Sequence, residues 1–211
     1  MVLVQYAFVV LLVAVLVAAV ATFVVMGLAK LRRTRNLARA AHQQECRFFR
    51  DDPHDMPRRY GGFAVISSGH SPRANNVTDG RLAGRPVRAF DFRCELGHGT
   101  RRLTRHYNVV AADALPPGPA VLLWPDHDRL LAPLAARNAD GHVRCWSFRG
   151  NPRLATALAK GWTGNDETAP AIEVRGSVLL VATPARRSAA GQYAVSLDDV
   201  ARLAAARDNV S

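Results

Sequence analysis

The sequence predicts an α+β protein: one N-terminal transmembrane helix, then a domain with a mainly antiparallel sheet, one internal helix and a C-terminal helix. Three observations predict it. Residues Val2–Ala29 carry no charged side chain. The strand-like segments after residue 62 are neighbours in sequence joined by glycine-containing turns, a pattern of hairpins rather than of βαβ crossovers. Two segments of helical spacing begin at capping residues, Asn151 and Ser196. The chain divides accordingly into a transmembrane helix 2–29, a basic juxtamembrane helix 30–50, a linker 51–62 and an α+β soluble domain 63–208.

The apolar run comes first. A hydrocarbon core is about 30 Å thick and takes about 20 apolar residues, so Val2–Ala29 is long enough to span with tilt, leaving Gln5 and Tyr6 in the interface. An isolated span must satisfy its backbone internally and is therefore helical, despite its many valines. A cleaved signal peptide is the rival reading. It needs a positive n-region and a stretch of about 7–15 apolar residues, and here no Lys or Arg precedes a much longer run. Lys30, Arg32, Arg33, Arg35 and Arg39 follow the run with no acid before Glu45. The positive-inside rule then places the N-terminus outside and the domain in the cytoplasm of a single-pass cell-membrane protein.

Charge and cysteine content limit the function classes. The formal charge is +11, and residues 30–50 hold seven of the 28 basic residues against one acid. That concentration suits contact of Lys30, Arg32, Arg33, Arg35 and Arg39 with anionic lipid headgroups; it also sets topology by itself. The composition argues against nucleic acid as a partner, since all basic residues but Lys30 and Lys160 are Arg in an Ala-, Gly- and Pro-rich chain without a recognition motif. Cys46, Cys94 and Cys145 form no CxxC pair. Reduced thiols are expected in the cytoplasm, and a Cys94–Cys145 disulfide only if the orientation is reversed.

Along the domain, Phe63–Ser67 reads as a short strand, Ser68–Asn76 as a loop and Val77–Leu82 as a strand. Val87–Leu96 alternates, with Phe90, Phe92, Cys94 and Leu96 on one face and Val87, Ala89, Asp91, Arg93 and Glu95 on the other. It turns at Gly97–Thr100 into Arg101–Ala112, which is apolar on both parities near its end. Ala120–Trp124 reads as an inner strand, Asp126–Leu134 as a short helix, and His142–Phe148 as one strand. A helix follows with Asn151 at N-cap, Pro152 at N1 and Gly161 at its end. Ala171–Val174 and Ser177–Thr183 form a hairpin about Arg175-Gly176, and Ser196 caps the closing helix, whose apolar face is Leu197, Val200, Ala201 and Ala204.

The stretch Leu82–Ala112 contains Gly84-Arg85-Pro86-Val87-Arg88-Ala89-Phe90-Asp91-Phe92, a glycine turn and an Arg-rich return strand. It resembles a family of functionally uncharacterised, actinobacterial-type membrane proteins with N-terminal anchors and a Gly-Arg-x-Val-x-Ala-Phe-Asp-aromatic hairpin motif. The resemblance runs from about Leu82 to Ala206, with Asp-Phe here where Asp-Tyr is common. It implies the architecture and no catalytic residue.

No Walker A, G-x-G-x-x-G, H-E-x-x-H or G-x-S-x-G motif occurs. Asp126-His127-Asp128 is the densest titratable cluster and carries the alternative reading, a metal-dependent hydrolase; adjacent residues on one segment rarely converge on one ion, and a turn capped by Asp126 is the plainer account. His98, Arg101, Arg102 and Arg105 form a basic hairpin suited to a partner, and Asp91 is placed to pair across the hairpin with an Arg such as Arg105. The expectation is a membrane-anchored, non-enzymatic binding or scaffolding module with no catalytic residue, cofactor or metal, touching anionic lipid and a protein partner. Arg-mediated nucleic-acid binding is a second alternative.

Overall fold

The computed structural model describes residues 2–82, 84–128, 139–185 and 192–210. The protein is α+β. Helix α1 (Val2–Gln43) is 42 residues long, about 63 Å at 1.5 Å per residue. The described side chains of its apolar part are unburied, and it is the one helix among the described residues long and apolar enough to cross a membrane. A core helix would be buried; side chains such as Phe23, Val25 and Met26 are instead largely exposed, and an apolar surface of that extent is not stable in water.

After α1 come β1 (Arg47–Phe49), α2 (Met56–Arg59), α3 (Ala64–Ser67), β2 (His70–Leu82), β3 (Arg85–Leu96), β4 (Leu103–Ala112), β5 (Val121–Pro125), β6 (Gly141–Val143), β7 (Trp146–Gly150), α4 (Pro152–Gly161), β8 (Ala171–Arg175), β9 (Val178–Pro184) and α5 (Gln192–Asp208). Among the described residues the strands form one sheet, in the order β1-β2-β3-β4-β9-β8-β5-β7-β6. Every neighbouring pair is antiparallel. Both edge strands, β1 and β6, are three residues long, which limits the unpaired edge open to another chain.

Each face of the sheet has its own core. One face packs against α4, α5 and the end of α1 through Val87, Ala89, Val110, Leu123, Trp146, Ile172 and Val181. The other packs against α2 and α3 through Phe90, Phe92, Cys94, Tyr107, Val109 and Leu180. The alternation of β3 therefore holds residue by residue, and Val109–Ala112 is buried on both parities. The β3–β4 register pairs Leu96 with Leu103, closed by Gly97 at φ +75°, a conformation a side chain would disfavour.

Several expected boundaries change. The juxtamembrane helix ends at Gln43 rather than residue 50, and Arg47–Phe49 pairs with β2. The 51–62 segment is not a bare linker: Met56 and Tyr60 are buried in the α2–α3 core. Phe63–Ser67 is a helical turn rather than a strand, because Phe63, Val65 and Ile66 all point down onto one sheet face. Of the expected loop Ser68–Asn76, only Ser68 and Gly69 are turn; His70–Asn76 is strand. Two register shifts in β2, with Ser71 and Asn76 at positive φ, absorb the turn-forming residues. His142–Phe148 is a hairpin, turned at Arg144 (φ 54°), whose guanidinium donates to Ala159 O and Trp162 O. Helix α5 starts at Gln192, so Ser196 is an interior position rather than its cap. Asn151 caps α4 as expected, accepting from Leu154 N at 2.9 Å. In the expected Asp126–Leu134 helix, Asp126 and His127 form a turn, and 129–134 lie outside the described residues.

Candidate functional site

Helix α1 does not stop at the end of its apolar run. Its last three turns lie on the sheet, with Leu37 and Ala41 buried. Arg33 Nη2 donates to Asp91 Oδ1 at 3.0 Å and to Asn108 Oδ1 at 3.2 Å. Asn76 Nδ2, turned inward at a β2 irregularity, donates to the other Asp91 oxygen at 2.8 Å. Asp91, the acid of the Phe-Asp-Phe motif, is thus the receptor for the anchor helix. Its expected partner Arg105 is elsewhere because residue parity places Arg105 on the opposite face.

This docking divides the proposed headgroup residues. Arg33 turns to the sheet, while Arg32, Arg35 and Arg39 are exposed on the outer side of α1. Lys30 lies in the same helix, one turn before Arg33. The hairpin residues divide too. His98, Arg101 and Arg102 are exposed at the β3–β4 tip. There His98 stacks on His70 at 5.0 Å between ring centroids, and Arg102 lies 3.3 Å from Glu95. Arg105 is withdrawn from the tip: its Nη2 donates to Asp128 Oδ1 at 2.5 Å, and Tyr107 Oη donates to Asp128 Oδ2 at 3.4 Å.

Those contacts separate the Asp126-His127-Asp128 cluster. Asp128 is buried, 4% exposed, between β4 side chains. Asp126 is exposed and bonded to His142 Nε2 at 2.5 Å and to Ser147 Oγ at 3.0 Å. His127 sits on the rim of a cavity of about 150 Å³ with Arg105, Glu167 and Thr183. The two carboxylates turn to different partners and do not converge on one ion, which counts against the hydrolase alternative. Cys94 and Cys145 are free and pack on opposite faces of the sheet, so they cannot form the disulfide considered above.

A cavity of about 510 Å³ among the described residues was not legible in the sequence. The groove opens beside α3, along β5, the end of β7 and β8. Leu122, Trp124 and Glu173 form its floor, Ser67 and Ser68 one wall, and Arg149 the exposed rim. Glu173 accepts from Ala64 N at 2.6 Å and from Arg175 Nε at 3.0 Å, tying α3 to the sheet. Its burial pushes the carboxyl pKa up, against the lowering pull of those two donors. The serine hydroxyls are spent on local backbone, Ser67 on Phe63 O and Ser68 on Val65 O. The groove is of mixed character, with apolar Leu122 and Trp124, the acid Glu173 and the cations Arg149 and Arg175 along its lining.

No protein-family model matches the chain, and no curated protein matches it in sequence. A solved structure does share its fold: the crystal structure of the mycobacterial trehalose monomycolate transport factor A, TtfA. It is similar with a TM-score of 0.58 and 16% identity, over 82% of this chain and 93% of that one. At that identity the likeness concerns the fold.

Proposed function

We propose that this protein is a membrane-tethered, non-enzymatic binding module, in which α1 crosses the cell membrane once and fixes the sheet close beneath the bilayer. The observation that carries the reading is the docking of α1. A tether that only holds a domain near a membrane can be flexible, whereas here the helix leaving the apolar run is seated in the core through Leu37 and Ala41 and latched by Arg33 to Asp91. Anchor and sheet move as one body, so the groove is held at a set height and orientation. Its partner is a protein that meets it at the membrane.

The charge distribution supports a cytoplasmic domain, with Arg32, Arg35 and Arg39 facing anionic headgroups. The resemblance of Gly84–Phe92 to anchored bacterial membrane proteins supports the same grouping. TtfA is by its title a transport factor, and an accessory part in membrane transport is the specific role we propose here. The test places a photo-crosslinking residue in the full chain at Arg149, on the groove rim, or at Asn209, at the far end of the domain. The expected result is a discrete adduct with a membrane protein from Arg149 alone, in a chain that resists alkaline extraction. Extraction of the chain, or identical adducts from both positions, would refute the proposal.

A further inference from the structure

The docked helix supplies a ruler. Arg33 meets Asp91, Leu37 shares a small cavity with Ala89, and Gln44 shares one with Val87 and Leu82. Along this contact α1 advances while β3 is met in reverse, so the two run antiparallel. From Arg33 to Gln44 the helix covers about 16 Å, and from Asp91 to Val87 the strand covers about 13 Å, so the two run alongside each other at a moderate crossing angle. Followed the other way, β3 runs from Asp91 to Leu96, about 17 Å at its rise per residue. The same length of α1 reaches back from Arg33 to about residue 22.

With Gln5 and Tyr6 in the interface, a span of about 20 residues runs from about residue 7 to about residue 26, so the level of residue 22 falls at the inner edge of the bilayer. The hairpin tip lies at that depth. Outside α1, Leu103 at the tip and Val210 near the C-terminus are the only large apolar side chains exposed among the described residues, Leu103 at 47%. Arg101 and Arg102 precede Leu103, and His98 stands across the turn. Behind them Arg73 and Arg93 are directly paired across β2 and β3, like charges that repel, and neither has an ion-pair partner among the described residues. Glu95 is the one acid in this group.

On the membrane-tethered reading above, we infer that the β3–β4 tip is a second membrane contact, with His98, Arg101 and Arg102 on anionic headgroups and Leu103 inserted among them. The domain is then held at two points, α1 and the tip, which set its rotation about the anchor.

The full chain carrying Leu103→Trp is reconstituted into vesicles with brominated acyl chains, of equimolar phosphatidylglycerol and phosphatidylcholine or of phosphatidylcholine alone. The native Trp124, Trp146 and Trp162 are buried, and the unsubstituted chain gives their background. The introduced tryptophan is expected to be quenched beyond that background in anionic vesicles. Adding Arg101→Gln and Arg102→Gln should lower the docked-to-free ratio roughly 25-fold, at about fivefold per arginine, while near-ultraviolet circular dichroism stays unchanged. Quenching no greater than background, in a chain that floats with the vesicles, overturns the inference and leaves the tether standing. A chain that fails to float overturns the tether itself.

Discussion

Leu37 is the residue on which the rigid tether depends. It is 4% exposed and sits in the core with Ala89 and Leu197. Leucine-to-alanine substitutions in cores cost about 2–5 kcal/mol, least where the site can relax. A gap of about 20 Å³ already lies beside Leu37, lined by Ala40, Ala41 and Gln44, so Leu37→Ala falls at the low end, about 2 kcal/mol. The loss acts locally. The sheet keeps its ladders and α4, while the stretch after Arg33 is released. Ten residues of helix are too few to persist alone in water, so release is followed by fraying. The population of the open form should rise roughly 30-fold, at about 1.4 kcal/mol per factor of ten. Hydrogen exchange on the full chain in nanodiscs measures it: amides of 34–43 should exchange roughly 30-fold faster, and those of β4 and β9 at their former rate. Arg35→Ala, on the exposed side of the same helix, should change neither. Unaltered exchange at 34–43 in Leu37→Ala would refute the reasoning, as would equal acceleration across the whole sheet.

Three further outcomes follow from the buried polar groups. Arg207 is 1% exposed and its guanidinium donates to Pro116 O and Gly176 O at 2.5 and 2.8 Å; Arg207→Met should cost about 3 kcal/mol by stranding both carbonyls, lowering Tm by roughly 6–12 °C in a thermal melt. Asp128→Ala strands Arg105 and should cost about 2–3 kcal/mol, whereas Asp126→Ala, on the surface, should change stability by less than about 0.5 kcal/mol; equal losses in denaturant titrations would contradict their separation. Burial raises the carboxyl pKa of both Glu173 and Asp199, so the folded state holds these protons more tightly than the unfolded chain. Their contribution to stability is therefore greatest below the unfolded values, near pH 4, and declines as pH rises through the raised folded values. Glu173→Gln keeps an acceptor for Ala64 N and should flatten that decline in unfolding titrations between pH 4 and 7.

Much of the architecture was legible because it rests on local chemistry. An uncharged run partitions by composition alone, whatever follows it. The β3–β4 hairpin was readable because period-two alternation meets a glycine turn, and α4 because Asn151 and Pro152 mark its start. Where a single strand was expected at His142–Phe148, the deciding feature is non-local: Arg144 adopts positive φ with its guanidinium held by the end of α4. Likewise the turn-rich His70–Asn76 becomes strand because its bulges are offset by pairing with β3.

The candidate site shows the same division more sharply. Sequence alone determined that a membrane-length helix precedes an antiparallel α+β domain, that basic residues crowd the junction, and that the hairpin tip is basic. Each of these is a property of neighbours along the chain. Tertiary structure alone decided that Asp91 receives Arg33, 58 positions away, that Arg105 belongs to Asp128, and that a groove opens beside α3. Residue identity states what a side chain can bond to. Which partner it meets depends on strand order and on the face of the sheet it occupies, and both are set by how the whole chain buries its two apolar cores.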